Sequence, residues 1–216
     1  MNLRSLVKYV FRRDTTHHGE FSLMLKLAGR ECPRVIVDVG ANDGYYGSNS
    51  FPFVARRWRA VLIEPHPVAF ARLQKLHTGR PNVTCLNVAC SDVAGTLPLW
   101  MGTDGDAGTM STLSTDDHPH FQKVRTNQSV PVVVERLETI LARLEIPPEF
   151  GILSIDTEGL DCEVLLGLHL NIWRPRLIVT EDFGPKDSKK ALYLEGRDYR
   201  LAGKIAANSF WTPVDR

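Results

Sequence analysis

Apolar, β-branched runs alternate with amphipathic helical segments along most of this chain, and that alternation limits the folds it can adopt. The segment RVIVDV at residues 34–39 ends at Gly40, and RAVLIE at residues 59–64 repeats the pattern and ends at Glu64. Continuous apolar runs of this length are typical of parallel strands that are buried on both faces. The sequence therefore predicts an α/β protein with a mostly parallel sheet and helices on both of its faces.

The remaining elements follow from the same periodicity. Further strands are predicted at 82–90, 96–101, 129–135, 150–156 and 175–182, with a terminal antiparallel hairpin at 197–214. Helices are predicted at 2–13, 21–29, 48–57, 67–76, 136–144, 161–168 and 186–194. We expect residues 1–33 to form an N-terminal helical cap and residues 34–216 the main domain. Residues 101–128 are rich in Gly, Ser, Thr and Asp, which is typical of a functional lid or a disordered loop.

Composition excludes several classes of protein. The 216 residues include 26 basic and 25 acidic side chains, so the formal charge of +1 gives no basic surface for nucleic acid. No apolar stretch approaches the roughly 20 residues of a membrane span. Four cysteines occur without a Cys-x-x-Cys pair, which predicts reduced thiols and a cytoplasmic setting. The oligomeric state stays open, and a homodimer is compatible with the sequence.

A glycine-containing loop follows the first strand and reads Asp38-Val39-Gly40-Ala41-Asn42-Asp43-Gly44. Glycines allow the backbone to turn tightly and to pass close to a ligand, although they also occur in purely structural turns. We expect free N–H groups after this loop to bind an anionic group such as a carboxylate. Asp38 and Asp43 would suit a positively charged amino group. The loop departs from Gly-x-Gly-x-x-Gly, which disfavours a dinucleotide pyrophosphate.

Glu64 ends the second strand, 26 residues after Asp38. An acidic side chain at this place is positioned to accept hydrogen bonds from both hydroxyls of a ribose. Together with the loop it predicts a nucleoside-containing cofactor. S-adenosylmethionine combines a ribose diol with an ammonium and a sulfonium group, so it fits this acidic surrounding.

The order of four motifs resembles the FkbM family of S-adenosylmethionine-dependent methyltransferases. These motifs are VIVDVGANDGYYG, LIEPHP, NVACSD and LSIDTEGLDCEVLLG, spread over residues 35–182, with a family-like tail in GKIAANSFW. The resemblance implies the Rossmann-like fold of class I methyltransferases, with a seven-stranded sheet whose last strand is antiparallel. It also implies methyl transfer to an oxygen of a small hydroxylated metabolite or a sugar.

The same resemblance implies a set of cofactor contacts. The loop residues would bind the methionine end, Glu64 the ribose, and Ser91 with Asp92 the adenine. The full predicted set is Asp38, Gly40, Asn42, Gly44, Tyr46, Glu64, Pro65, Ser91, Asp92 and Asp156. The chain departs from the family pattern at Ser154, where a lysine is frequent, and at Glu138, where an aspartate is usual.

Acidic residues end two later strands and predict chemistry at the rim of the sheet. Because an alcohol is a poor nucleophile until its proton is removed, Asp156, Glu158 and Glu181 are the candidate catalytic residues. Asp156, Glu181 and Asp182 would also suit Mg²⁺, in an arrangement similar to that of catechol-type metal-dependent methyltransferases. The structural alternative is that Glu158 caps the next helix and Glu181 binds loop amides.

Two other functions remain open at this point. A nicotinamide-dependent oxidoreductase could use the same crevice, although a third loop glycine and a Tyr-x-x-x-Lys pair are absent from the sequence. A catalytically silent nucleoside-binding or scaffolding module is the other, and the Ser154 departure keeps it open. The leading hypothesis is an S-adenosylmethionine-dependent O-methyltransferase.

Overall fold

The structure, a computed structural model, describes residues 14–103, 110–113, 125–181 and 189–214. Its helices are α1 (Glu20–Ala28), α2 (Phe51–Val54), α3 (Pro67–Leu76), α4 (Leu137–Arg143), α5 (Asp161–Leu166) and α6 (Lys189–Glu195). Its strands are β1 (Val35–Val39), β2 (Arg59–Ile63), β3 (Val83–Leu86), β4 (Ala89–Cys90), β5 (Gly95–Gly102), β6 (Arg125–Glu135), β7 (Ile152–Ile155), β8 (Leu177–Glu181), β9 (Tyr199–Ile205) and β10 (Asn208–Pro213).

Seven strands form the main sheet, in the order β3-β2-β1-β7-β8-β10-β9. The first five strands in this order run parallel to one another, and β10 is antiparallel to both β8 and β9. This confirms the predicted α/β fold with a terminal antiparallel hairpin. The strand order reverses at β1, because β2 and β3 lie on one side of it and β7 and β8 on the other. Ligands of such sheets bind at this reversal, beyond the carboxyl ends of the strands.

Hydrophobic side chains cover both faces of the sheet, as the apolar runs predict. Val37 of β1 packs in the core on the side of α4, α5 and α6, together with Leu137 and Leu165. Its neighbour Ile36 points to the opposite side and packs with Phe53 and Leu62. Successive side chains of a strand alternate between faces, so one short strand contributes to two cores. Both cores fix the strand ends that carry the acidic residues.

The segment predicted as a single strand at 82–90 is two strands in two different sheets. β3 pairs with β2, whereas β4 pairs with β6 in a second, three-stranded sheet of order β4-β6-β5. The side-chain amide of Asn87 donates to the carbonyls of Glu64 and Pro65, at 2.8 and 3.1 Å. These bonds hold the chain where it leaves the main sheet. The prediction of one continuous strand was therefore wrong.

Three predicted helices are shorter in the structure or lie wholly or partly outside the described residues. The helix predicted at 48–57 is the single turn α2, which has Pro52 in its first turn. Residues 2–13 lie outside the described residues, as does the start of the helix predicted at 186–194. α1 packs onto the main sheet through Phe21 and Met24, which belong to the same core as Ile36 of β1. Within the described residues, no helix is long and apolar enough to cross a membrane.

Candidate active site

A cavity opens at the carboxyl ends of the strands, at the point where the strand order reverses. The ends of β1, β2 and β7 line it, together with Val88 and the two residues of β4. Nine of the predicted site residues line this cavity: Asp38, Gly40, Asn42, Tyr46, Glu64, Pro65, Asp156, Glu158 and Glu181. The topology therefore gathers most of the residues that the motifs single out.

Gly40 allows the ends of β1 and β7 to approach each other closely. A Cβ atom at this position would lie 1.7 Å from the carbonyl oxygen of Asp156, and the backbone has a φ of +88°. An L side chain would meet both a steric clash and a strained backbone. Gly40 is thus the point where the loop after β1 and the rim after β7 are joined.

The amides of the loop are already used within the protein. Each backbone N–H from residue 40 to residue 46 donates an internal hydrogen bond. Gly40 and Ala41 donate to the carbonyl of Ile63, at 2.9 and 3.0 Å. The backbone N–H groups of Tyr45 and Tyr46 donate to the carboxylate of Asp43, at 2.8 and 2.9 Å. The amides of the loop itself are therefore not available to a ligand, and binding of an anionic group by N–H groups of the helix that follows the loop stays a prediction.

Glu64 is held rigidly at the end of β2, with 5% of its surface exposed. One carboxylate oxygen accepts from the backbone N–H of Asn42 at 2.8 Å, and the other accepts from that of His66 at 2.7 Å. Burial, reinforced by the charges of Asp38 and Asp156, raises the pKa of Glu64 to about 7. Each oxygen keeps a lone pair for a further donor, so the side chain is suited to a pair of ligand hydroxyls.

Asp38 lies beside Ser154, its register partner on the neighbouring strand β7. Burial raises the pKa of Asp38, and hydrogen bonds from Ser50 and Ser154 oppose that rise. Ser154 is fully buried and accepts a hydrogen bond from the amide of Asn49 at 3.2 Å. The departure from the family lysine therefore places a neutral hydroxyl against Asp38. A buried carboxyl group with only neutral donors favours a cationic ligand.

Three carboxyl groups converge at the rim formed by the ends of β7 and β8. One oxygen from each of Asp156, Glu158 and Glu181 lies within 4.8 Å of the other two. Burial, reinforced by the charges of Asp161 and Asp38, raises the pKa of Asp156, while a hydrogen bond with Glu181 opposes that rise. Burial and the charges of Asp156 and Glu158 raise the pKa of Glu181. Repulsion at this distance favours a shared proton or a bound cation. The cluster can therefore exchange protons near neutral pH or hold a metal ion.

Asp161 positions this rim, a role that the sequence did not reveal. Its carboxylate accepts from the N–H and hydroxyl of Thr157, at 3.1 and 2.7 Å, and from the N–H of Glu181 at 2.9 Å. The Nζ of Lys190 lies 3.6 Å from the same carboxylate. Asp161 therefore ties the loop after β7 to the end of β8. The sequence indicates only that Asp161 begins a predicted helix.

Three of the remaining predicted residues, Gly44, Ser91 and Asp92, do not line the cavity. Gly44 lies beneath the loop, where a Cβ atom would come 2.4 Å from the side chain of Leu73. Ser91 and Asp92 bond to each other at 3.0 Å and are not among the lining residues. Asp182 lies outside the described residues.

His17 lines the cavity and was missed, because nothing local in the sequence marks it. Its segment reaches the loop after β1 through a β-bridge between Thr16 and Gly47, 31 positions apart in the chain. Val88, Ala89 and Cys90 were also missed as lining residues. They reach the cavity because the chain leaves the main sheet before β4, a turn that the periodicity does not indicate.

The sequence profile of the methyltransferase FkbM domain matches residues 38–201, well over half of the chain. The chain belongs to the FkbM methyltransferase family. The matched region begins at Asp38, near the end of β1, and it contains the cavity-lining residues Glu64, Asp156 and Glu181. No curated protein matches this sequence closely enough to count as a relative.

Two solved methyltransferases are similar to this FkbM-family chain. The crystal structure of methyltransferase FkbM from Methylobacillus flagellatus KT has a TM-score of 0.52 and 13% identity, over 97% of this chain and 59% of that one. This chain thus spans about three fifths of the length of that protein. Precorrin-6y C5,15-methyltransferase from Geobacter metallireducens GS-15 has a TM-score of 0.48 and 12% identity, over 92% of this chain and 89% of that one. At 13% identity, the first likeness establishes a shared fold.

Proposed function

We propose that this protein transfers a methyl group from S-adenosylmethionine to a hydroxyl oxygen of a small molecule or sugar. The observation that carries the proposal is the orientation of Glu64, which lines the cavity while two backbone N–H groups fix its carboxylate. A fixed carboxylate at the end of the second parallel strand matches the ribose diol of a nucleoside cofactor.

The charge of the cavity supports a cationic cofactor. Five carboxyl side chains line it, those of Asp38, Glu64, Asp156, Glu158 and Glu181. Burial raises the pKa of Asp38, Glu64 and Asp156. When bound, S-adenosylmethionine supplies an activated methyl group on a sulfonium centre. Its ammonium and sulfonium charges would stabilise the ionised form of these carboxylates.

Removal of the acceptor proton falls to the rim carboxylates. In the proposed reaction the acceptor oxygen forms a bond to the methyl carbon as the carbon–sulfur bond breaks, and S-adenosylhomocysteine is released. The hydroxyl proton passes to an ionised oxygen of the cluster Asp156, Glu158 and Glu181. Because Asp156 and Glu181 repel each other when both are ionised, the pair readily takes up one proton.

A divalent cation is the second candidate occupant of the rim. The three rim carboxylates converge within 4.8 Å of one another, and Mg²⁺ prefers oxygen ligands of this kind. Asp156, Glu181 and Asp182 are the proposed ligands, with Glu158 as the carboxylate that the structure adds. A metal would polarise the acceptor hydroxyl directly. Activity that EDTA abolishes and Mg²⁺ restores would establish this role, and activity unaffected by EDTA would exclude it.

The nicotinamide alternative is weakened by the same geometry. A dinucleotide needs free backbone N–H groups for its pyrophosphate, whereas residues 40–46 use theirs internally. The acidic lining would also repel phosphate groups. The silent-module alternative predicts cofactor binding without turnover, so an activity measurement separates it from the methyltransferase.

The proposal extends to the setting of the protein. All four cysteines are free thiols in the structure. Free thiols fit the expected cytoplasmic compartment, whose reducing conditions keep thiols unpaired. Sedimentation velocity would decide whether the protein is the homodimer that the sequence allows.

The test is a screen of hydroxylated metabolites and sugars with a methyl-labelled donor. We expect labelled methyl ethers, identified by mass spectrometry as methylated on oxygen, together with stoichiometric S-adenosylhomocysteine. Label found only on nitrogen or carbon would contradict O-methylation. Cofactor binding with no labelled product from any acceptor class would favour the silent module.

A further inference from the structure

His17 lies at the mouth of the cavity and is packed by residues that follow the glycine loop. Its ring makes an edge-on contact with Tyr46, with 5.2 Å between the ring centroids. A Cβ atom on Gly47 would lie 2.0 Å from Nε2 of His17, so the glycine leaves room for the imidazole. Gly47 also has a φ of +66°, which a residue with a side chain rarely adopts. This part of the chain is therefore shaped around the ring.

The segment that carries His17 is anchored at both of its ends. On one side Thr15 donates to the carbonyl of Ser48 at 3.3 Å, and Thr16 forms the β-bridge with Gly47. On the other side the buried carboxylate of Glu20 accepts from the N–H of His18 at 2.8 Å and from the amide of Asn208 at 3.0 Å. These bonds fix the backbone on both sides of His17, whose side chain lines the cavity.

The order of the strands indicates which part of the cofactor His17 would meet. Glu64 at the end of β2 marks the ribose, and residues 88–90, beyond β3, lie on the side of the base. The amino-acid part must then extend toward β1 and β7. The residues over that side are Asn49, which bonds to Ser154 of β7, and the Gly47 turn with His17 against it. His17 thus lies at the amino-acid end.

The carboxylate at that end needs a donor that the loop does not provide. Residues 40–46 use their N–H groups internally. Among the described residues that line the cavity, five are acidic and His17 is the single basic one. An imidazole N–H donates to a carboxylate in either protonation state. A cofactor carboxylate placed among five carboxyl groups therefore requires a group of this kind.

We infer that His17 binds the carboxylate of the amino-acid moiety of S-adenosylmethionine, replacing the loop amides in that role. This inference rests on the proposed function. It makes the segment before α1 a part of the cofactor site. Removal of the imidazole donor should weaken the binding of ligands that carry the carboxylate and leave adenosine binding unchanged.

The test compares two ligands by calorimetric titration. S-adenosylhomocysteine carries the amino-acid carboxylate, and 5′-methylthioadenosine has the same nucleoside and thioether without it. H17F keeps an aromatic ring against Tyr46 but removes both ring nitrogens and with them every N–H donor of the side chain, and H17Q keeps a donor. H18F makes the same change at the neighbouring histidine, which does not line the cavity. We expect H17F to raise the dissociation constant of S-adenosylhomocysteine about tenfold or more. The dissociation constant of 5′-methylthioadenosine should rise less than about twofold.

The control variants separate a donor from a packing residue. H18F should bind both ligands as the wild type does, and H17Q should bind S-adenosylhomocysteine more tightly than H17F. The inference is overturned if H17F lowers the affinity for both ligands equally or for neither. It is also overturned if H17Q binds S-adenosylhomocysteine as weakly as H17F does. Wild-type protein that binds neither ligand would contradict the proposed function itself. Wild-type protein that binds both equally well would contradict only the role of His17.

Discussion

The two acidic regions of the cavity differ in what holds their carboxyl groups. At the end of β2, backbone N–H groups of Asn42 and His66 fix both oxygens of Glu64. At the ends of β7 and β8, Asp156 and Glu181 hydrogen-bond each other, and burial together with neighbouring acidic groups raises the pKa of both. Backbone donors fix both oxygens of the first carboxyl group, whereas in the second pair one acid is the hydrogen-bond partner of the other.

This difference separates binding from chemistry within one cavity. A carboxylate fixed by the backbone keeps its geometry when a ligand arrives, which suits the recognition of two neighbouring hydroxyls. A pair that shares a proton suits a reaction in which a proton must be accepted. We therefore assign cofactor affinity to the β2 side and turnover to the rim, and the following variants test that division.

The rim should show the largest effect, and it should concern turnover. Asp156→Asn removes the charge but keeps the size, so we expect turnover to fall by roughly 10²–10⁴-fold, the range of general base catalysis. Affinity for S-adenosylhomocysteine should change by less than about threefold, since Glu64 is untouched. Both are measured with the acceptor found in the labelled screen. Glu149→Gln, at an exposed acid outside the cavity, is the control. Unaltered turnover would remove Asp156 from the mechanism.

Gly40 joins the two regions, and its replacement should damage both. In Gly40→Ala the new methyl group would meet the carbonyl of Asp156, so we expect unfolding free energy to fall by about 3 kcal/mol. Urea denaturation measures this loss. Gly79→Ala is the matched control, because Gly79 has a φ of +75° with nothing near its Cβ position. It should lose only about 1 kcal/mol, the cost of the left-handed backbone. Equal losses would show that the approach of the strand ends is unimportant.

Much of this division could be predicted from the sequence, because the acids end apolar strands. Asp38, Glu64 and Asp156 follow from runs that must lie side by side, and parallel strands bring their carboxyl ends to one edge. The internal bonds of the Gly40 and Ala41 amides could not be predicted, since their acceptor, the carbonyl of Ile63, lies on another strand. His17 depends on a contact across 30 positions with Gly47, and no local pattern encodes it.

Glu64 should show the opposite behaviour to Asp156. Glu64→Ala removes the proposed acceptor of the ribose hydroxyls, so affinity for S-adenosylhomocysteine should fall by roughly 1.5–3 kcal/mol, the range for hydrogen bonds to charged groups. Turnover at saturating cofactor should change far less than in Asp156→Asn. Calorimetric titration measures the first quantity and initial rates the second. Unchanged affinity would show that the ribose is held elsewhere.

The smallest expected effect is a dependence of stability on pH. Burial raises the pKa of Glu64 to about 7 from 4.5, so the folded state binds a proton that the unfolded chain releases. The contribution of Glu64 to stability is therefore present below about pH 4.5 and is lost as the pH rises through about 7. Glu64→Gln removes the titrating group, so its free energy of unfolding does not fall in this way as the pH rises. Relative to wild type its free energy of unfolding should gain roughly 2 kcal/mol between pH 5 and pH 8, measured by urea unfolding. Glu195→Gln, at an exposed acid, should show no such gain, and a Glu64→Gln difference independent of pH would contradict the burial of a titrating Glu64.

The central claim is that a sulfonium nucleoside binds across the carboxyl edge of the main sheet, beside Glu64. Parallel calorimetric titrations of the wild-type protein with S-adenosylhomocysteine and with NAD test it most directly. We predict saturable binding of S-adenosylhomocysteine with one site per chain and no saturable binding of NAD. An absence of heat with S-adenosylhomocysteine at high protein concentration, or tighter binding of NAD, would contradict the account.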